Sequence, residues 1–408
     1  MSSTVEQVNS NRELKLIGGL SIASIVIFIN LYLVQGMLPL IAATFSVSKS
    51  HATLLLSVTS FTMAFSLLLF AVMSDRVGRK RPILISLYLL VMVDIVAIFI
   101  TDFGQLVALR MVQGALLASV PAMAMAYFKD ELGGHVLLKA AAIYIAANSI
   151  GGIAGRLLGG LISEYLQWQE AMMLLAVISL IGALLATRLL PESKFTKTKL
   201  ILNKEALHAD LKGFYSHLAN PKLRLIYLIS GSAFMVMVNQ FSYIQLHLMD
   251  TPFMQGPFEV TLIFLCYLSG TYASYRSAKW IKNSGVKRVY ITSVIALVLG
   301  SLFTLFDTVA AIYIGFLISS FGFFLIHSSC NAWVAFIAKQ HRAKATALYL
   351  CSYYLGAAIG GPYLLPFWQQ WGWQGVVLGS MLCLLVLAAL VVKLLSPAEA
   401  KSPLSFIV

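Results

Sequence analysis

The stretch Ser74-Asp75-Arg76-Val77-Gly78-Arg79-Lys80-Arg81-Pro82 decides how the chain is laid out. It holds five charges within seven residues; before it no charge occurs back to Lys49, and after it none until Asp94. Hydrocarbon solvates neither ions nor unpaired peptide groups, so a polar break between two long apolar runs reads as a loop between membrane spans. Gly78 suits a sharp reversal. Pro82 suits the first turn of the next helix, where a missing N–H costs nothing. Four basic residues against one acid place this loop on the cytoplasmic side.

Working outward, the same alternation continues along all 408 residues. The chain is 59% hydrophobic and 11% charged, with a mean hydropathy of +0.86, where soluble domains carry about 25% charge. Twelve spans are predicted, at 16–37, 51–73, 82–101, 105–127, 139–162, 169–189, 223–246, 257–278, 288–306, 309–337, 343–366 and 373–393. The expected class is an all-α membrane protein, and its first apolar run is too long for a cleaved signal peptide. An even number of spans puts both termini on one side. Of the 29 Lys and Arg, 26 fall on the side of the opening loop, Lys49 alone falls on the other, and Arg110 and Arg156 lie within spans. Both termini are therefore expected in the cytoplasm. The net charge of +13 is loop charge on this reading, and a nucleic-acid partner is not expected. The cysteines Cys266, Cys330, Cys351 and Cys383 sit unpaired in apolar runs, so neither disulfide nor metal site is expected.

The two halves of the sequence repeat. Lys139, Ala142, Tyr144, Gly151, Gly155 and Trp168-Gln169 match Lys344, Ala347, Tyr349, Gly356, Gly360 and Trp373-Gln374 at one offset of 205 residues. This pairs the fifth span with the eleventh and the sixth with the twelfth. It implies two pseudo-symmetric six-helix bundles, 1–190 and 223–408, joined by a cytoplasmic linker over 191–222. Within the linker, the charged stretch from Glu205 to Lys212 reads equally as a short interfacial helix or as plain connecting chain.

With these motifs the chain resembles the major facilitator superfamily. The family's signature between its second and third spans, Gly-x-x-x-Asp-Arg-x-Gly-Arg-Arg/Lys, is matched by Asp75, Arg76, Gly78, Arg79 and Lys80, with Ala71 in place of the first glycine. Arg110, Gln113 and Gly114 match Arg-x-x-Gln-Gly. Gly155-Arg156-Leu-Leu-Gly159-Gly160 is similar to the antiporter motif, with Arg156 in the proline position, and Ser284-Gly285-Val-Lys287-Arg288 is a weaker echo of the opening loop. Asn148 to Leu157, Gly322 to Ser328 and Leu348 to Gly356 resemble the YnfM-type bacterial drug or sugar efflux permeases. The resemblance implies a twelve-span transporter in which Asp75, Arg76, Gly78, Arg79 and Lys80 gate the cytoplasmic side. The alternative is that these charges only enforce topology.

The candidate ligand residues follow from their chemistry at bilayer depth. A guanidinium inside a span faces a cavity or a partner, or else snorkels to the interface, which singles out Arg110 and Arg156. Amides and tyrosines orient a polar ligand or join helices, which adds Asn30, Gln35, Gln113, Asn148, Asn239, Gln240, Tyr243 and Tyr353. His327 titrates near neutrality unaided and is a ligand and proton-coupling candidate. Asp94 is the second proton-coupling candidate, with pairing or snorkelling as its rival reading. The first span carries no acid between Lys15 and Lys49. With Arg110 and Arg156 both positive and no acid evident in the lining, a net basic cavity favouring neutral, zwitterionic or anionic ligands is expected.

No nucleophile elbow, paired carboxylates, nucleotide loop or cofactor motif occurs, so no enzyme, primary pump or cofactor is expected. The expected function is secondary transport, with protons as coupling ion, a small polar or amphiphilic substrate leaving the cell, the lipid bilayer as surroundings and a monomer as the working unit. Uptake, facilitated transport or a non-transporting sensor are the alternatives.

Overall fold

A computed structural model describes residues 2–193 and 204–396, without the side chains of residues 2–10, 75, 134, 135, 138, 204 and 206. Its helices are α1 (Ser2–Gly36), α2 (Leu38–Thr44), α3 (Lys49–Ala52), α4 (Leu54–Val77), α5 (Lys80–Ala97), α6 (Phe103–Leu117), α7 (Ser119–Glu131), α8 (Gly134–Tyr165) and α9 (Trp168–Leu189). Then follow α10 (Lys204–Ala219), α11 (Pro221–Met249), α12 (Pro257–Thr261), a 3₁₀ turn (Leu262–Cys266), α13 (Tyr267–Phe303), α14 (Val309–Ile337) and α15 (Arg342–Leu394).

Nine helices among the described residues are long and apolar enough to cross a membrane. Two of them hold two spans each. α13 breaks at Gly285 (φ 78°) and α15 at Gly372 (φ 56°), both left-handed conformations that glycine adopts without steric cost. α5, which carries Lys80, Arg81 and Asp94, completes twelve spans. Leu54–Val77 extends four residues past the predicted end of the second span, and the opening loop shrinks to Gly78 and Arg79. The expected loop is thus mostly two helix ends. Charged side chains reach the polar boundary from a helix end while the peptide groups keep their helical bonds.

The chain forms two compact units, Met1–His208 and Ala209–Val408. In the first, α1 packs on α8, α4 on α6, and α5 on α9. In the second, α11 packs on the first part of α15, and α13 packs on α14 and on α15. The repeat seen in the sequence is therefore a repeat of helix pairs. Gly78 and Gly285 share one backbone conformation, with φ 82° and 78°. Asp102 caps α6 by accepting from the Gln105 N–H, and Thr308 caps α14 by accepting from the Ala311 N–H. Trp168 Nε1 donates to the Ala97 carbonyl at 2.9 Å, and Trp373 Nε1 to the Thr304 carbonyl at 3.1 Å.

Apolar collapse does not drive helices together in lipid; close backbone packing does. A Cβ on Gly159 would lie 2.3 Å from the Leu33 carbonyl oxygen, and one on Gly356 would lie 2.0 Å from that of Gly231. Gly155 and Gly159 of the antiporter-like motif thus bring the α8 backbone against α1, and Gly356, the counterpart of Gly151, brings the α15 backbone against α11.

Candidate functional site: a buried charge ladder and an aromatic box

At the end of the first unit that carries the opening motif, three ion pairs form. Arg79, 5% exposed, donates from Nε to Asp130 Oδ2 at 3.1 Å and from Nη1 to Ser74 Oγ. Lys80 Nζ reaches Glu192 Oε1 at 2.8 Å, and Arg12 reaches Glu131 at 3.0 Å. The Lys80 hydrogen bond, with the charge behind it, holds the Glu192 carboxyl below the usual carboxylate range. The Asp75 side chain lies outside the described residues. Arg76 is half-buried, and Gly78 supplies the turn. Asp130, Glu131 and Glu192 were absent from the sequence reading of the gate. The signal that points to them is that acids at these helix ends are few and the basic residues need partners.

Deeper in the same unit lies a ladder of buried polar groups. Arg110 sits eight residues inside α6 from its cap, roughly 12 Å at 1.5 Å per residue. Its guanidinium donates to Thr59 Oγ1 at 2.9 Å, to the Asn30 carbonyl at 3.1 Å, to the Leu31 carbonyl at 3.2 Å and to Gln113 Oε1 at 2.8 Å. Every guanidinium nitrogen is bonded inside the unit, so snorkelling is excluded for this residue. Gln113 then turns its other end, Nε2, to Asp94 Oδ1 at 2.7 Å. Ser179 Oγ donates to Asp94 Oδ2 at 2.6 Å, and Asn30 Nδ2 donates to Ser179 at 2.9 Å. The ladder joins α1, α4, α5, α6 and α9, and Asp94 and Asn30 are both 0% exposed. The Asn30 side-chain oxygen, also buried, accepts nothing among the described residues.

This arrangement corrects the expectation of a net basic cavity without an acid. Asp94 answers the charge of Arg110 through one amide, and it neither snorkels nor stands apart. The sequence reading gave Asp94 as a proton-coupling candidate with pairing or snorkelling as the rival; the side chain is fully buried and bonded to Gln113 and Ser179. Thr59 and Ser179 were missed, since single hydroxyls on apolar spans carry no distinguishing signal.

Arg156 lies on the next layer of the same unit. Its Nε donates to Gln35 Oε1 at 2.8 Å, its Nη1 donates to the Gly152 carbonyl at 2.9 Å, and the guanidinium sits 3.6 Å from the centre of the Tyr32 ring. A cation over a ring in a dry setting is worth about 2 kcal/mol or more. Asn148 accepts from Ser24 across α8 and α1.

The second unit is built differently. His327 and Tyr353 are half-buried, with ring centres 4.8 Å apart. Tyr353 stacks on Phe234 at 3.6 Å and 12°, and Phe323 stacks beside His327 at 5.8 Å. The Tyr349 hydroxyl meets His327 Nδ1 at 2.8 Å. These rings form an aromatic box on α11, α14 and α15. Of the two readings open for Asn239, Gln240 and Tyr243, ligand contact or helix joining, the hydrogen bonds seen here are those of helix joining. All three are buried: Asn239 donates to the Ala357 carbonyl at 3.2 Å, Gln240 exchanges bonds with Ser301, and the Tyr243 hydroxyl donates to the Gly361 carbonyl at 2.9 Å.

The profile of the Major Facilitator Superfamily matches residues 20–279 and 259–406. The Uncharacterized MFS-type transporter YybF of Bacillus subtilis (strain 168) is 34% identical over 89% of this chain and 88% of its own. The Inner membrane transport protein YnfM of Escherichia coli (strain K12) is 31% identical over 91% of this chain and 87% of its own. Among solved structures, that of the nucleoside transporter NupG superposes with a TM-score of 0.72 at 15% identity, over 92% of this chain and 99% of that one, which is a likeness of fold.

Proposed function

We propose, from the premise that this chain belongs to the Major Facilitator Superfamily of transporters, that it is a proton-coupled antiporter exporting a small polar or amphiphilic compound by alternating access. The observation that carries this reading is the buried ladder Asp94–Gln113–Arg110. Protonating Asp94 removes the one carboxylate bonded into the ladder and leaves Arg110 as a buried charge without its counter-ion. Breaking a buried pair from one side costs about 3–5 kcal/mol. Five helices meet on the ladder, so a shift of that size changes which packing of them is preferred. A ligand drives a conformational equilibrium only by such a difference in affinity between two states. Asp94 is the proton site in this account and Arg110 is the group that registers the proton.

The aromatic box around His327 and Tyr353 offers flat apolar faces with a hydroxyl and an imidazole at their edge, which suits an amphiphilic solute. The Asn30 side-chain oxygen offers a buried acceptor to a polar one. The direction, outward, is supported by the antiporter-like glycine motif on α8. The cytoplasmic placement of both termini is supported by the basic residues; a reporter fused within 191–222 reads cytoplasmic and one near Thr251 periplasmic, and the reverse result overturns that placement.

The test is transport of a compound panel into inverted membrane vesicles. At least one small polar or amphiphilic compound accumulates, and an uncoupler abolishes the accumulation. Uptake into right-side-out vesicles alone, or accumulation indifferent to the uncoupler, contradicts the proposal.

A further inference from the structure

The second unit carries a cleft of about 260 Å³ where α13 breaks. Ser284 and Arg288, on either side of Gly285, form its mouth. Thr292 stands one turn beyond Arg288 on the same helix face, and Trp280, Phe321 and Leu325 line the cleft with apolar surface. Thr292 lies roughly 10 Å along the helix from Gly285, so the cleft runs from the polar break into the depth of the span. Its wall is firmly packed. Trp280 and Phe321 are half-buried with ring centres 5.4 Å apart, and Leu325 is buried in a cluster with Ala273 and Val289. The mouth is open: Ser284 and Arg288 are exposed, and the Arg288 guanidinium makes neither a hydrogen bond nor an ion pair among the described residues.

Charge decides what fits there. In the opening loop, Arg79 and Lys80 are answered by Asp130 and Glu192. The counterpart break in α13 has no such acids. Arg276, Lys279, Lys282, Lys287 and Arg288 crowd into thirteen residues, while no acid occurs between Glu259 and Asp307 or between Asp307 and Glu399. Asp307 lies past the far end of the second part of α13, roughly 27 Å of helix away. Asp210 is already taken by Lys344 at 2.9 Å. Of the five cations, Arg276 leans on the Tyr272 ring at 5.7 Å. The counter-charge for Arg288 must therefore come from outside the second unit. A soluble anion would answer Arg288 and leave the apolar wall in contact with nothing suited to it. A zwitterionic lipid brings an ammonium of its own beside the guanidinium. A phosphate with net negative charge joined to an acyl chain answers both ends of the cleft, and basic pockets between membrane helices hold such headgroups.

We propose that this cleft is a binding site for one anionic phospholipid, its phosphate on Arg288 and Ser284 and an acyl chain along Trp280, Phe321 and Leu325. The proposal rests on the membrane placement of the spans and not on the transported compound. The purified full chain, stripped of lipid in detergent, is titrated with phosphatidylglycerol or with phosphatidylethanolamine of the same acyl chains, and bound lipid is counted by native mass spectrometry. Phosphatidylglycerol is expected to bind several-fold more tightly than phosphatidylethanolamine. Arg288→Ala weakens it roughly fivefold. Thr292→Trp fills the cleft, keeps every charge and weakens it at least as much. Lys282→Ala, on the same loop but outside the cleft, weakens it less than either. Both cleft variants alter exposed side chains, and unchanged thermal midpoints separate a lost lipid from a lost fold. Equal binding of the two lipids overturns the proposal, as does wild-type binding by Arg288→Ala. Wild-type binding by Thr292→Trp also overturns it, since loop charge alone then gathers the lipid. So does displacement of the lipid by an equal concentration of inorganic phosphate, since the acyl chain then contributes nothing. Binding is read without transport, so a failed lipid site leaves the proposed function standing.

Discussion

The two halves share one set of helix pairs, yet the first buries Asp94, Arg110 and Arg156 within its spans, while among the described residues of the second the one buried lysine or arginine is Lys344, at the start of α15. Asp94 lies sixteen residues after Gly78, and Ser301 sixteen after Gly285. Arg110 lies eight after the cap Asp102, and Phe316 eight after the cap Thr308. Where the first unit has Asp94–Gln113–Arg110, the second has a neutral Ser301–Gln240 pair and the buried ring of Phe316. Arg156 has Gly361 as its counterpart, whose carbonyl takes the Tyr243 hydroxyl. The repeat therefore fixes the scaffold, while the two copies diverge in what they present: ionic chemistry in the first unit, aromatic surface in the second. Under the proposed function, this difference assigns coupling to the first unit and ligand shape to the second.

The largest effect expected from breaking this division is at Arg110. Arg110→Ala abolishes transport and lowers the thermal midpoint of the purified protein, because Asp94 is left buried without its counter-ion, at about 3–5 kcal/mol. Adding Asp94→Asn to Arg110→Ala restores part of the midpoint and none of the uphill transport. A double variant as unstable as Arg110→Ala alone contradicts the ladder as a coupled unit.

A smaller effect is expected in the second unit. Tyr353→Ala removes a stacked ring worth about 0.5–1.5 kcal/mol, so the KM for the exported compound rises roughly 2- to 10-fold while the pH profile keeps its shape. His327→Ala sharpens the point. Its Nδ1 faces the Tyr349 hydroxyl, and the division of labour predicts an unchanged pH dependence, where His327 as a proton-coupling group would flatten the profile between about pH 5 and 8. A flattened profile moves coupling into the second unit.

The smallest effect concerns Lys80 and Glu192. Glu192 is 77% exposed in this pair, and such pairs contribute about 0–1 kcal/mol. Because the folded protein holds the Glu192 carboxyl below its unfolded range, the contribution is present above the unfolded pKa and fades as pH falls through the lowered one. Lys80→Gln should thus narrow the gap in thermal midpoint to wild type under acid conditions, with at most a degree or two at neutral pH. A gap that widens in acid contradicts the sign.

The span count was legible because hydrocarbon forces every polar break to show, and the linker helix α10 was half-legible as a charged stretch between spans. The repeat was legible because tryptophans, glycines and lysines recur at one offset. The ladder was not. Asp94 and Arg110 sit on different helices, and the bridge between them is an amide whose two ends point to two partners, a fact of geometry and not of residue type. The same limit applies to Asn239 and Gln240. Asparagine and glutamine at bilayer depth read alike whether they face a ligand or, as here, a neighbouring helix.

The central claim is that Asp94 carries the coupling proton and Arg110 registers it. It is tested most directly with Asp94→Asn in proteoliposomes, by measuring substrate exchange at equal pH and uphill transport driven by a pH gradient on the same preparation. Asparagine fits the site of Asp94 and keeps an acceptor for Gln113 or Ser179. The account predicts exchange within about threefold of wild type and uphill transport at background. Uphill transport retained alongside exchange places the proton elsewhere and contradicts the account.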